Sequence, residues 1–366
     1  MTSGNDFLES RHVHICVIGS TSHEQMRAKM SGANPRKYGK IILTTSNSTD
    51  FDEDDDNDDE NVWSSLQEAS RQGQLDVVCQ LLDCADGTTV VDVNEGPHGW
   101  YGQTALQAAC ANGHWAIVER LIVAGADINA PGGNNGGRTA LALAAGAGYL
   151  DIVNRLIAAG ADVNSAASRY QGRTALQAAA EGGHIHVVKR LLDEGADINA
   201  PVSFNGGRTA LQAAAAGGHH EVVDELLACG AQVNAPLMRY KALSALQAAA
   251  LGGHLHVVNR LLAAGADVNA EGCYYNGCTA LYAAALEGHV HVVRRLLDVG
   301  SDPNMTAGNK HWTPFQAAFS MGHDEIAEIL WRREPKTEGS PQDDAIQLAA
   351  LSSQTSNLSI TGGNHF

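Results

Sequence analysis

The chain repeats itself, and that repetition limits its fold more than any other feature. The segment Gly172-Arg173-Thr174-Ala175-Leu176-Gln177-Ala178-Ala179-Ala180, then Gly182-Gly183-His184, then Gly195-Ala196-Asp197-Ile198-Asn199-Ala200, returns along most of the sequence. Its Thr-Ala-Leu core starts at Thr104, Thr139, Thr174, Thr209, Ser244 (as Ser-Ala-Leu) and Thr279, at a constant spacing of 35 residues. Thr313 follows after 34 residues as Thr-Pro-Phe, and a degenerate Ser64-Ser65-Leu66 precedes Thr104 by 40. Self-similarity at such a period specifies a stacked array of supersecondary units.

One unit can be read from elementary propensities. Residues 175–182 hold Ala, Leu and Gln with no β-branched residue, which predicts a first helix ended by Gly182-Gly183. A second helix is expected from Ile185 to Glu194, with Val187, Val188, Leu191 and Leu192 on one face. Gly195 suits the left-handed residue that closes a helix. Asp197-Ile198-Asn199 is expected to lead into an extended segment, and residues 200–208 into a turn-rich excursion. The unit is therefore helix, turn, helix and a hairpin-like finger. A single unit has one apolar layer, so Leu176, Ala179, Val188 and Leu191 must be covered by neighbours. Stability then depends on nearest-neighbour interfaces.

These recurring Thr-Ala-Leu-Gln-Ala-Ala, Gly-His, Val-Val, Leu-Leu and Gly-Ala-Asp-Val-Asn elements resemble the ankyrin repeat over about residues 62–333. The resemblance implies an all-α solenoid of about eight repeats with β-hairpin-like fingers. Three departures stand out. Gln107, Gln177, Gln212 and Gln247 occupy a position where the family usually has His, and can replace it as a polar bridge between repeats. Ala stands where Pro is usual. The period is 35, against about 33 in the family, which puts two extra residues in the finger. The Gly-rich fingers and Gln-Ala-Ala-Ala wording also look like the ankyrin arrays that follow an NTPase domain in large fungal proteins. The function implied is protein–protein recognition by a scaffold or adaptor, through a concave face made from fingers and first helices. The alternative reading is a regulatory sensor arm of, or beside, a nucleotide-binding NTPase.

Composition excludes several classes. The net charge of −17 opposes general nucleic-acid binding, which needs basic surface to neutralise phosphates. Seven scattered Cys with no Cys-x-x-Cys suggest a reducing compartment. No apolar run reaches the ~18 residues of a membrane span, and the N-terminus lacks a signal-peptide core. A cytoplasmic or nuclear monomer is expected, with no small-molecule substrate and no cofactor.

The flanks differ from the array. Residues 1–49 offer two short strand-like stretches, 12–18 and 39–45, too little to bury a core; they read as partly disordered or as a remnant of a larger α/β domain. Gly32 to Gly39-Lys40 is spaced wrongly for a phosphate loop, and Ile41 stands where Ser or Thr should hold magnesium. Residues 50–61 form a linker in which Asp50–Glu60 carries nine acids, a like-charge run that repels and stays solvated. Residues 334–366 read as a mostly disordered tail, with a capping helix possible in sequence terms over 343–351.

No enzyme is expected, because a catalytic set should break the repeat pattern while the array's His and Asp residues mostly follow it. His114, His184, His219, His254, His289 and His323 share one repeat position and are expected to be structural. Stacked repeats lie about one helix diameter apart, roughly 10 Å, whereas zinc–nitrogen bonds need about 2 Å, so no metal site is expected.

The fingers vary while the helices do not. Trp100, Tyr101, Tyr170, Phe204, Tyr240, Tyr274, Tyr275 and Trp312 fall on them, as do Arg138, Arg169, Arg173, Arg208, Arg239, Lys241 and Lys310. Within the finger segments these seven cations face a single acid, Glu271. A basic, aromatic-studded edge on an acidic protein is a candidate protein interface, and its partner is expected to carry an acidic segment. The Asp50–Glu60 tract is a candidate competitor for the same edge. For Arg138, Arg173 and Arg208 the family resemblance also implies a role in turn packing.

Overall fold

The computed structural model describes residues 63–83, 91–96, 102–133, 137–166, 172–203, 207–237, 243–273, 277–307 and 312–333. Among these residues it contains sixteen helices in eight antiparallel pairs. The pairs are α1 (Ser65–Gln72) with α2 (Leu75–Asp83), α3 (Ala105–Ala111) with α4 (Trp115–Val123), α5 (Ala140–Ala147) with α6 (Leu150–Ala158) and α7 (Ala175–Glu181) with α8 (Ile185–Asp193). They continue with α9 (Ala210–Ala216) and α10 (His220–Ala228), α11 (Ala245–Leu251) and α12 (Leu255–Ala263), α13 (Ala280–Glu287) and α14 (Val290–Asp298), and α15 (Pro314–Met321) and α16 (Asp324–Trp331). Each first helix packs against the first helices of its neighbours, and second helices touch more sparingly. The stretches 1–49, 50–61 and 334–366, with the strand-like segments, the acidic tract and the capping helix expected there, lie outside the described residues.

The short first helices exist because each end is capped. Thr174 Oγ1 accepts from the Gln177 backbone N–H at 3.2 Å, and Gln177 Oε1 accepts in return from Thr174 N–H at 3.1 Å. This reciprocal box satisfies two donors that a helix start leaves unpaired. Ser64, Thr104, Thr209, Ser244 and Thr313 repeat it with their own Gln partners. The glutamine does a second job: Gln107 Nε2 donates to the carbonyls of Ala130 and Pro131 at 2.9 and 3.1 Å. It thus ties the helix start to the base of the finger that follows, so the bridge expected of this Gln runs to the finger. In α7 the whole run from Ala175 to Ala180 is buried. A helix covered on all sides needs no polar face, and alanine lets the neighbouring helices approach. In α8 only Val187, Val188 and Leu191 are buried, so Leu192 lies at the margin of the apolar layer.

Two polar ladders join the units. His184 Nε2 lies 3.0 Å from the Gly146 carbonyl, the penultimate position of the preceding first helix. A carbonyl only accepts, so Nε2 carries the proton. His114, His219, His254, His289 and His323 make the equivalent bond to the preceding unit, which accounts for the repeated histidine. The second ladder runs through asparagine. Asn164 Nδ2 donates to Gly195 O at 3.0 Å, and Asp197 N–H donates to Asn164 Oδ1 at 2.7 Å. The Asp-x-Asn segment that leads out of the unit is itself a tight turn: Asn199 N–H donates to Asp197 Oδ1 at 2.9 Å. Asp and Asn side chains mimic a backbone turn in this way. Strand pairing is limited, among the described residues, to one isolated bridge between Ala307 and Trp312. The end units carry larger side chains, with Phe315 5.7 Å from the Trp331 ring and Arg71 5.8 Å above the Trp63 ring.

The cysteines follow burial. Cys278 is buried, and desolvation first, then the nearby Cys273, pushes its thiol up to about 12; burial moves Cys110 further in the same direction. A thiol raised in the folded state stabilises the fold below its unfolded pKa of about 8.5. That contribution is lost as pH climbs from there towards about 12. A disulfide reagent at about pH 8 is expected to label exposed Cys229 in the native protein while Cys110 and Cys278 react only after unfolding. Labelling of all three at equal rates would show that the core opens locally.

Candidate functional site

Among the described residues, Arg138 and Arg173 from consecutive units meet beside one carboxylate, and Arg208 from the next unit lies within its field. Arg138, Arg173 and Arg208 each stand immediately before the N-cap threonine of α5, α7 and α9. The cap holds the chain extended there, with φ −68° and ψ 165° at Thr174. The arginine therefore leaves the helix start rather than joining it. Glu181 is the last residue of α7. Its Oε2 lies 3.4 Å from Arg173 Nε and 3.6 Å from Arg138 Nη2. Arg173 runs along its own unit, and Arg138 arrives from the unit before. On the way its Nη1 passes Gly146, 3.7 Å from where a Cβ would stand, which is ordinary contact distance. Arg208, from the unit after, lies within the fields of both Glu181 and Arg173.

These groups are partly withdrawn from water. The Arg173 side chain is 9% exposed, Glu181 29% and Arg138 30%. Burial lowers the proton affinity of the Arg138 and Arg208 guanidiniums, Glu181 restores part of it, and the like charge of Arg173 lowers it again. All three stay charged, since arginine does not deprotonate in proteins. The cluster therefore keeps an excess of two positive charges on a chain whose net charge is −17. The second-helix side is organised differently. There Arg155 pairs with Glu119 at 2.6 Å and Arg260 with Asp224 at 2.5 Å, one cation to one acid. A cleft of 510 Å³ on that side, lined by Trp115, Asp151, Asn154 and Arg155, contains one such paired arginine.

Of the residues expected at the edge, Arg138, Arg173 and Arg208 are brought together. Trp312 is not among them: it is half-buried in the last unit, where its carbonyl accepts from Ala307 N–H at 2.9 Å. Trp100, Tyr101, Arg169, Tyr170, Phe204, Arg239, Tyr240, Lys241, Tyr274, Tyr275 and Lys310 lie outside the described residues. Glu181 is the residue that sequence reasoning missed. It lies in a helix, and acids were weighed only within the fingers. Its signal is nonetheless in the repeat register. The position seven residues after each cap Thr or Ser reads Arg71, Ala111, Gly146, Glu181, Ala216, Leu251, Leu286 and Ser320. Glu181 is the single acid in that column, and its two flanking neighbours have the smallest side chains in it. The position before each cap reads Gln103, Arg138, Arg173, Arg208, Leu243 and Cys278 through the inner units, so the cations occupy consecutive repeats only.

Eight capped helix pairs stacked through alanine-rich helices, with a charged cluster on the finger side, define a helical-repeat binding module. The family model for ankyrin repeats in three copies matches residues 66–167, 164–236 and 242–352, and the chain belongs to that family. No curated protein matches the chain. Ankyrin repeats serve in general as protein–protein interaction modules, which fits a stack with a large exposed lateral face. Among the described residues, no helix is long and apolar enough to cross a membrane, and no group of His, Cys, Asp and Glu is arranged to hold a metal ion.

Proposed function

We propose that this protein is an adaptor or scaffold that recognises a protein partner across the face formed by its first helices and finger bases, with Arg138, Arg173 and Arg208 at the centre of contact. The observation that carries this reading is that Arg138 and Arg173 converge on Glu181, with Arg208 in the same field, while the other ion pairs among the described residues are matched one to one. Arginine is enriched among the residues that dominate binding energy. A partly desolvated cluster steers and orients an oppositely charged partner more strongly than exposed lysines do. An acidic segment is the complement such a cluster selects.

The test uses the full chain as bait against source lysate, beside an Arg138→Glu/Arg208→Glu double variant and a His186→Ala control on the outer surface. The double variant is expected to recover the partner at least ~10-fold less well while its helical circular dichroism is unchanged, since charge reversal at a close pair costs several kcal/mol. Equal recovery by all three baits would remove the arginine cluster from the interface.

A further inference from the structure

We infer that Arg138, Arg173 and Arg208 form a binding site for a phosphate dianion carried on the partner's peptide chain, with Glu181 as the internal counter-ion that holds the arginines in register until it binds. This rests on the interaction reading above and names the chemistry of its central contact.

Three features lead there. The first is convergence. Arg138 and Arg173 approach the same oxygen, Glu181 Oε2, from two different units, and Arg208 feels the same carboxylate from a third. A compact anion at that point is met by two guanidinium groups and sits in the field of the third. Two carboxylates on alternate residues of an extended peptide are about 6.6 Å apart along the strand, too far apart to share one such point. The second is charge. The excess of two positive charges matches a phosphate monoester, which carries about −1.5 to −2 near neutral pH, whereas a single carboxylate leaves one cation uncompensated. The third is the looseness of the existing pairs. At 3.4 and 3.6 Å they are longer than the ~2.7–2.9 Å of charge-assisted hydrogen bonds. The equivalent positions in the units on either side hold only Gly146 and Ala216, so neither neighbour sets a competing acid beside Glu181.

Glu181 then has a definable role. It offsets part of the repulsion among the three guanidiniums in the empty site and competes weakly with the incoming anion. Removing its charge should therefore tighten phosphate binding, although it removes an ion pair. A purely structural Glu181 would give the opposite result or none.

The experiment titrates the full chain with two fluorescent degenerate peptide pools, identical except for a central phosphoserine or glutamate, at fixed ionic strength and about pH 8, where the phosphate is fully dianionic. The phosphoserine pool is expected to bind about tenfold or more tightly than the glutamate pool, and inorganic phosphate to compete. Glu181→Gln should raise affinity for the phosphoserine pool roughly threefold to tenfold. Arg173→Lys, which keeps the charge and removes the planar fork, should lower it about tenfold. Equal binding of the two pools, preference for glutamate, or a Glu181→Gln variant no tighter than the parent would each overturn the inference. If neither pool binds while Arg138→Glu/Arg208→Glu still abolishes partner capture, the interaction surface stands and the phosphate assignment falls. Glu181→Gln keeps the test decisive should Arg173→Lys fail to fold.

Discussion

Replacing Leu191 by Ala should lower the unfolding free energy by about 2–5 kcal/mol, the range for truncating a fully buried leucine. Leu191 has no exposed surface and lies in α8 beside Val187 and Val188. Its carbonyl also accepts from Ala196 N–H at 3.0 Å, just after the helix ends. A repeat array spreads this loss unevenly. Each unit is held by its neighbours, so weakening the fourth of eight units weakens the coupling between the halves on either side. Urea unfolding should therefore show both an earlier midpoint and a smaller slope, because a decoupled array no longer exposes all its surface in one step. Leu192→Ala, one residue on and only partly covered, should cost clearly less. Equal losses at the two positions, or a loss under about 1 kcal/mol at Leu191, would mean that this layer is not the core of the unit.

Gly148→Ala is expected to cost about 2–3 kcal/mol, an unusual loss for adding one methyl group. Gly148 closes α5 with φ +81°, a left-handed conformation in which a Cβ costs roughly 1–2 kcal/mol. The same Cβ would stand 2.5 Å from Nδ1 of His184 in the next unit. The ring would have to move and would strain its bond from Nε2 to the Gly146 carbonyl, worth about 0.5–1.5 kcal/mol. Gly160 separates the two contributions. Its φ is +90°, but a Cβ there meets nothing within 4 Å, so Gly160→Ala should show the backbone cost alone. Adding His184→Ala to each variant completes a double-mutant cycle. Coupling is expected between positions 148 and 184 and none between 160 and 184. The reverse pattern would show that the histidine ladder does not constrain the turn.

These two residues show how the register of the repeat converts into energetics. Leu191 and its counterparts are legible as core because apolar residues recur at helical spacing and must be covered by a neighbour. The paired glycines are legible as helix ends. Why one glycine of each unit tolerates a methyl group better than the other is not legible, because the difference lies in a ring supplied by the following repeat, some 36 residues later in the chain. The same holds for Gln177. As a helix former and polar bridge it was foreseeable, but its double duty at the cap and towards the finger base depends on the finger folding back across the helix start. The Asp-x-Asn segment is legible as the way out of the unit, but its tight turn depends on a side-chain bond from Asn199 N–H to Asp197 Oδ1.

By itself, the sequence determined the class of fold, the number of units, the placement of their helices and the layer each unit buries. A period of 35 residues with one apolar stripe per helix pair admits no other way to remove that stripe from water than stacking. It also placed Arg138, Arg173 and Arg208 on a candidate basic edge, beside the role in turn packing that the resemblance implies. What only the tertiary structure decided is that Arg138 and Arg173 meet at a helical glutamate, with Arg208 in the same field. Residues 138, 173, 181 and 208 are separated by tens of positions in the chain. They become neighbours because stacking superimposes equivalent positions of successive units.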